Sequence, residues 1–299
     1  MNHKIIFVRH GLRGIGNIHN VPPDHIPYLG KGKSLTFNGY IYSAELGKFI
    51  KNKFGNPDFI YGDITDERTV SSTIAIAHGC DKKDIYFANG KRDSFFKISK
   101  NITPDTIEQV SQNIKKYSDS MNETALIMQE QYNDINISNP TKINDKGKIT
   151  GIVTDMSKLS LLPYSLRLAG QMTIKNEYAF ENGHLFMWLI KRPLINITSD
   201  LFDGIVSLLY KHQLGILIGH DYSIDTLAYY LEKEYKLPNH PPYYVPPNSG
   251  FIFTLVDSHI KIEYIYLDYD GKFHILDYLD IPNPINKNIS FNLIKQQIV

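Results

Sequence analysis

Two continuous apolar runs stand out along the chain: Ile5-Ile6-Phe7-Val8, which stops at Arg9, and Leu214-Gly215-Ile216-Leu217-Ile218, which stops at Gly219. Short runs without polar alternation fit strands covered on both faces, as in a parallel sheet. Helical periodicity lies between them. Thr36 precedes a stretch in which Tyr42, Leu46, Phe49 and Ile50 share one face, and Gly55 supplies a stop. Phe59-Ile60-Tyr61 predicts a further strand and Arg68 to Ala77 a helix that ends at Gly79. Thr198 or Ser199 caps a predicted helix through Ile205, Leu208 and Leu209. This alternation predicts an α/β fold with a mainly parallel central sheet flanked by helices.

The middle and the tail differ in pattern. From about Ile98 to Ile197 the periodicity is mostly helical, with Thr103-Pro104 as a helix start. Phe251–Val256, Ile260–Leu267 and Phe273–Leu276 read as successive strands, with Asp270-Gly271 as a hairpin turn. The expected organisation is an α/β core built from residues 1–97 and 198–299, interrupted by a helical cap insertion over 98–197.

Composition narrows the class. The 299 residues carry 32 Lys+Arg against 31 Asp+Glu, a net charge of +1, which disfavours a partner such as nucleic acid that needs a basic surplus. No apolar run approaches the ~20 residues of a membrane helix. Cys80 is the single cysteine, so no intramolecular disulfide can form. The N-terminal residues lead directly into a strand rather than a signal peptide, which makes a cytoplasmic home the simplest expectation; a removed leader would leave a secreted or periplasmic one.

The sharpest chemical signal is Arg9-His10-Gly11-Leu12-Arg13, directly after the first buried strand. Guanidinium groups are costly to bury unpaired, and an anion gripped by their forks would explain the cluster. Gly11 would let the backbone approach that anion. Gly219-His220-Asp221 follows the second buried strand, and Asp66-Glu67-Arg68-Thr69 lies between a strand and a helix. Each alone has a bland explanation: a satisfied histidine at a strand end, or an acidic helix N-terminus. A parallel sheet would bring all three to one edge, and three arginines, two imidazoles and an acid gathered there suit phosphoryl transfer.

These motifs resemble the histidine acid phosphatases, the branch of the histidine phosphatase superfamily that includes phytases. The resemblance rests on Arg9 to Arg13, the Leu35-Thr36-Phe37-Asn38-Gly39 segment with Leu46-Gly47, Asp66 to Thr69, Gly219-His220-Asp221, and Pro246-Pro247-Asn248-Ser249-Gly250 with the strand after it; Asp93-Ser94-Phe95-Phe96 is a fainter match. It covers both chain ends in order, and the helical insertion only loosely. It implies a histidine phosphatase-like core, with His10 as nucleophile and Asp221 as general acid. Arg9, Arg13, Arg68 and His220 would hold the phosphate. The implied reaction is hydrolysis of a small phosphorylated substrate through a phosphohistidine, with no cofactor and no metal. Ile15 stands where many members have a proline, which implies altered loop rigidity.

Two other functions fit the same residues: a phosphate-binding pseudoenzyme or scaffold, and a phosphomutase-like transferase. Retention of both His10 and Asp221 favours turnover. The substrate is open. Lys82, Lys83, Lys91, Arg92, Lys97 and Lys100 suit a multiply phosphorylated ligand, although a solvated face explains them as well. Specificity is expected from the insertion, around Tyr164, Arg167 and Gln171. Oligomeric state is not legible.

Overall fold

The computed structural model describes residues 2–14, 34–88, 93, 95–96, 100–131, 140–159, 168, 177–195, 200–231, 236–238, 240, 243–257 and 259–282. Ile15, Tyr164, Arg167, Gln171, Lys91, Arg92, Lys97, Thr198 and Ser199 lie outside them, as does the stretch around each expected end of the insertion.

Strand β1 (Lys4–Arg9) is the hub of a seven-stranded sheet. It pairs in parallel with β6 (Leu214–Gly219), in a register that sets Arg9 against Gly219, and antiparallel with β7 (Gly250–Val256). The sheet continues on one side through β2 (Phe59–Asp63) to β3 (Tyr86–Ala88), both parallel, and on the other through β8 (His259–Leu267) to β9 (Phe273–Pro282), both antiparallel. The α/β class stands, and the sheet is mixed. The short connections decide this: two residues join β7 to β8 and five join β8 to β9, too few for a parallel crossover. Gly271 takes φ +77° in the second turn, where Asp268 N–H donates to the Lys272 carbonyl at 2.9 Å.

Alternation along β1 explains its unbroken hydrophobicity. Ile6 and Val8 pack with Leu46, Ile50, Ile60 and Ile76 on one face, while Ile5 and Phe7 pack with Phe202, Ile205 and Leu227 on the other. The first face is covered by α1 (Phe37–Phe54) and α2 (Glu67–Gly79), the second by α7 (Asp200–Leu209) and α8 (Asp221–Tyr230). Thr36 starts α1 by accepting the Gly39 N–H at 2.9 Å.

The longer helices described in the middle of the chain are α3 (Pro104–Lys116), α4 (Ser118–Gln131), α5 (Ile152–Leu159) and α6 (Glu177–Lys191). Thr103 and Thr106 form a reciprocal cap at the start of α3, with Pro104 at its first position. A small hairpin, β4 (Lys142–Ile143) with β5 (Ile149–Thr150), was not evident from the periodicity, because two-residue strands carry no alternation. The helices share an apolar cluster around Val110, Met128, Val153, Met156 and Ile190. Helix α6 also meets the sheet domain's side: Trp188 stacks on Tyr243, with ring centroids 3.6 Å apart, and on Tyr229.

None of the described helices is long and apolar enough to cross a membrane.

Candidate active site

The three parallel strands β1, β2 and β6 end side by side, and each delivers polar groups at its C-terminal end. His10 follows β1 directly. Its N–H donates to the Gly219 carbonyl at 2.9 Å, and its own carbonyl accepts the Asn248 N–H at 3.3 Å. The side chain is buried, with the residue only 2% exposed. Because a carbonyl only accepts, the 2.8 Å contact of His10 Nδ1 with the Gly11 oxygen places the ring proton on Nδ1. Nε2 is then a lone pair, and Arg68 Nε donates to it at 3.0 Å. Burial first, and then the Arg9 and Arg68 charges, hold the His10 pKa well below its ordinary value. The imidazole is therefore neutral, with a nucleophilic nitrogen beside a guanidinium.

The other expected residues assemble around it. Arg68 reaches in from the first turn of α2 and pairs with Asp66 at 2.8 Å. Arg9 donates to the Val245 carbonyl and lies 3.4 Å from Asp221 Oδ2. His220, at the N-terminus of α8, packs edge-on to His10 with ring centroids 5.6 Å apart. Asp221 opens α8, and 52% of its side chain is exposed to the cleft. Desolvation against the cleft walls pushes its carboxyl up, but the Arg9 and Lys191 charges outweigh that and hold it below the usual range. Arg13 lines the same cleft as Arg9 and Asp221, a space of about 190 Å³. Helices α2 and α8 both point their positive ends at this edge.

Gly11 is needed for helix packing: a Cβ there would meet Ser43 Oγ and lie 2.8 Å from the Gly39 carbonyl oxygen, while its N–H donates to Ser72 Oγ at 2.8 Å. Of the described residues of the basic stretch, Lys82 and Lys83 follow the far end of α2, about 20 Å along the helix from Arg68 at 1.5 Å per residue, and Lys100 bridges to Ile195. None of these three lines the cleft.

Several residues were not found from sequence. Asp63, at the end of β2, accepts His220 Nε2–H at 3.0 Å and two hydrogen bonds from Thr65. Its place at a strand end was the available signal. Tyr244, from the segment before the proline pair, places its ring 6.0 Å from the Arg9 guanidinium carbon. His184 and Lys191 of α6 and Asp225 of α8 line the cleft, and nothing in their sequence surroundings marks them.

Family models and curated proteins give no match to the chain. Solved structures do. The phytase from Citrobacter braakii superposes with a TM-score of 0.72 at 17% identity, over 93% of this chain and 91% of that one. The chain has the phytase fold. A Hafnia alvei phytase, solved in complex with tartrate, gives a TM-score of 0.69 at 14% identity, covering 93% of this chain and 90% of its own. The phytase from D. castellii gives 0.57 at 11%, covering 88% and 72%. The phytase fold thus spans nearly the whole chain, including the helical middle.

Proposed function

We propose that this chain is a phosphomonoesterase of the histidine acid phosphatase type, working through a phosphohistidine. The observation that carries the reading is the protonation geometry of His10: Nδ1–H is spent on the Gly11 carbonyl, and Nε2 is a lone pair at the ends of the parallel strands. An ester phosphate held by Arg9, Arg13, Arg68 and His220 presents phosphorus to that nitrogen. The N–P bond forms as the bond from phosphorus to the alcohol oxygen breaks, and Asp221 protonates the departing oxygen. A water molecule then attacks the phosphohistidine in line and passes a proton to Asp221, which frees His10 and inorganic phosphate.

Asp221 needs a proton for the first step, while Arg9 and Lys191 favour its ionised form. Phosphate binding offsets this. A dianion on Arg9 cancels the charge that depresses the carboxyl, and a monoanionic ester brings a proton with it. Ser157, His184 and Lys191, from the helical middle of the chain, line the cleft together with Arg9, Arg13 and Asp221.

The test is hydrolysis of p-nitrophenyl phosphate by the wild type and by His10→Ala. The wild type should turn over, and the variant should lose at least about 1000-fold, as the loss of a nucleophile does elsewhere. A variant within tenfold of wild type would remove His10 from the role.

A further inference from the structure

The stretch 245–249 packs directly against the nucleophile. Two of its carbonyls take hydrogen bonds from Arg9: Ser249 accepts the backbone N–H at 2.9 Å, and Val245 accepts the guanidinium. Between them, Asn248 N–H donates to the His10 carbonyl at 3.3 Å. Ser249 Oγ donates back to the Pro246 carbonyl, which closes the turn on itself. The His10–Gly11 peptide is thus pinned at both ends, by Asn248 N–H on its oxygen and by Ser72 Oγ on its nitrogen. The next carbonyl, that of Gly11, accepts His10 Nδ1–H at 2.8 Å.

Asn248 is a costly residue for this turn. Its φ is +59°, in the left-handed region that glycine enters freely and asparagine only tolerates. Its side chain is fully buried, and Nδ2 has no hydrogen-bond partner among the described residues. Glycine would satisfy the backbone and bury no amide, so packing alone gives no reason for the asparagine. What the amide gains is Ser43 of α1, whose Oγ donates to Asn248 Oδ1 at 2.8 Å. The same hydroxyl lies 2.8 Å from the Gly39 carbonyl, one helical turn back, and has one proton for the two acceptors. Ser43 Oγ is also the atom that a Cβ on Gly11 would meet, so the bond sits against the peptide it steadies.

We infer that Asn248 and Ser43 are a positioning pair for His10: their bond ties the turn to α1 and holds Gly11 where its carbonyl keeps the ring proton on Nδ1. The inference rests on the phosphomonoesterase reading for the role of His10 and goes beyond it by assigning what keeps Nε2 aimed at phosphorus. Neither residue lines the cleft. The phosphate grip is largely independent of them, because Arg68 reaches in from α2 and Arg9 belongs to β1. Loss of the pair therefore moves the nucleophile and leaves the anion site.

The experiment compares the wild type, Asn248→Gly, Ser43→Ala and the double variant on p-nitrophenyl phosphate, with inorganic phosphate as the competing inhibitor. Asn248→Gly keeps the left-handed backbone and loses only the amide; Ser43→Ala keeps the helix and loses only the hydroxyl. Each should lower kcat by about 10- to 100-fold, the scale of a misplaced active-site group, with the phosphate inhibition constant within about twofold of wild type. The double variant should be no slower than the worse single one, because both changes remove the same bond. Nitrogen NMR of the histidine rings, with His10→Ala identifying the His10 signals, should show Nδ1–H alone in the wild type and both tautomers in Ser43→Ala. Full kcat in Asn248→Gly, multiplied losses in the double variant, a phosphate constant that rises in step with the loss of kcat, or an unchanged His10 tautomer in Ser43→Ala would overturn the pair. If Asn248→Gly does not fold, kcat and the ring signal of Ser43→Ala decide. Absence of turnover in the wild type would remove the phosphatase reading, while the ring signal would still decide the positioning pair.

Discussion

His220 Nε2 stands 3.0 Å from Asp63 Oδ2, bridging the ends of two neighbouring parallel strands. Asp63 is buried, which pushes its carboxyl up, but the Thr65 amide and hydroxyl and His220 more than compensate and hold it below its ordinary value. An ionised Asp63 fixes the orientation of His220, and with it the imidazole expected to hold phosphate. Asp63→Ala should lower kcat/KM by about 10- to 100-fold, the scale of a misplaced active-site group. It should also raise the inhibition constant for inorganic phosphate. Asp63→Asn, which retains an acceptor oxygen, should recover most of the loss. An unchanged phosphate constant in Asp63→Ala would show that the pair serves folding alone.

Asp221 acts on the leaving oxygen, so its removal should discriminate between esters. Asp221→Asn should slow an alkyl phosphate about 100-fold or more, within the usual range for a lost general acid. An activated aryl phosphate, whose oxygen leaves without a proton, should lose about tenfold or less. Steady-state kinetics on the two substrates checks this. Equal losses would make Asp221 a positioning residue.

The strand ends were legible because burial on both faces leaves an unbroken apolar run, and Arg9 and Gly219 mark where each run stops. Thr36, Thr103 and Gly271 were legible for a similar reason, since caps and turns are local chemistry. Asp63 was not, because an acid after a short strand looks like any solvated residue until His220 arrives from 157 positions away. His184, Lys191 and Asp225 were hidden in the same way: their contacts join elements whose approach no periodicity encodes. The antiparallel half of the sheet follows from connection lengths; the Asp270-Gly271 hairpin gave the direction of the last pair of strands, and only that of the pair before it was not read.

Gly11 makes a structural prediction at the site's edge. In Gly11→Ala the new methyl would press on Ser43 Oγ and the Gly39 backbone of α1, and backbone cannot yield as a side-chain end can. Destabilisation of about 1–3 kcal/mol is expected, as for other overpacked positions. Activity should fall too, because His10 and Arg13 flank the displaced peptide. Thermal unfolding and p-nitrophenyl phosphate assays on one preparation check both.

Stability should depend on acidity through buried histidines. His240 is 1% exposed, and burial lowers its pKa to about 4 from the ordinary 6.5. The unfolded chain therefore binds this proton first as pH falls. Stability is lost progressively from about pH 6.5 down to about pH 4, to a total of about 3 kcal/mol for this residue at 1.36 kcal/mol per pH unit. Urea unfolding at pH 7 and at pH 4.5 should show the drop, and His240→Gln should reduce it, leaving the share of His10 and His184. An equal slope in the variant would assign the acid sensitivity to other groups.

The position of β1 between β6 and β7 also sets a schedule for biosynthesis. Its parallel neighbour lies about 210 residues further along the chain. At ribosomal speeds of about 5–20 residues per second, Ile5 to Val8 wait about 10–40 s for the partner that covers them. During that interval an apolar ribbon with two open edges is available to any other nascent strand. Yield in a cell should thus be governed less by the stability of the finished molecule than by what shields that ribbon during the delay.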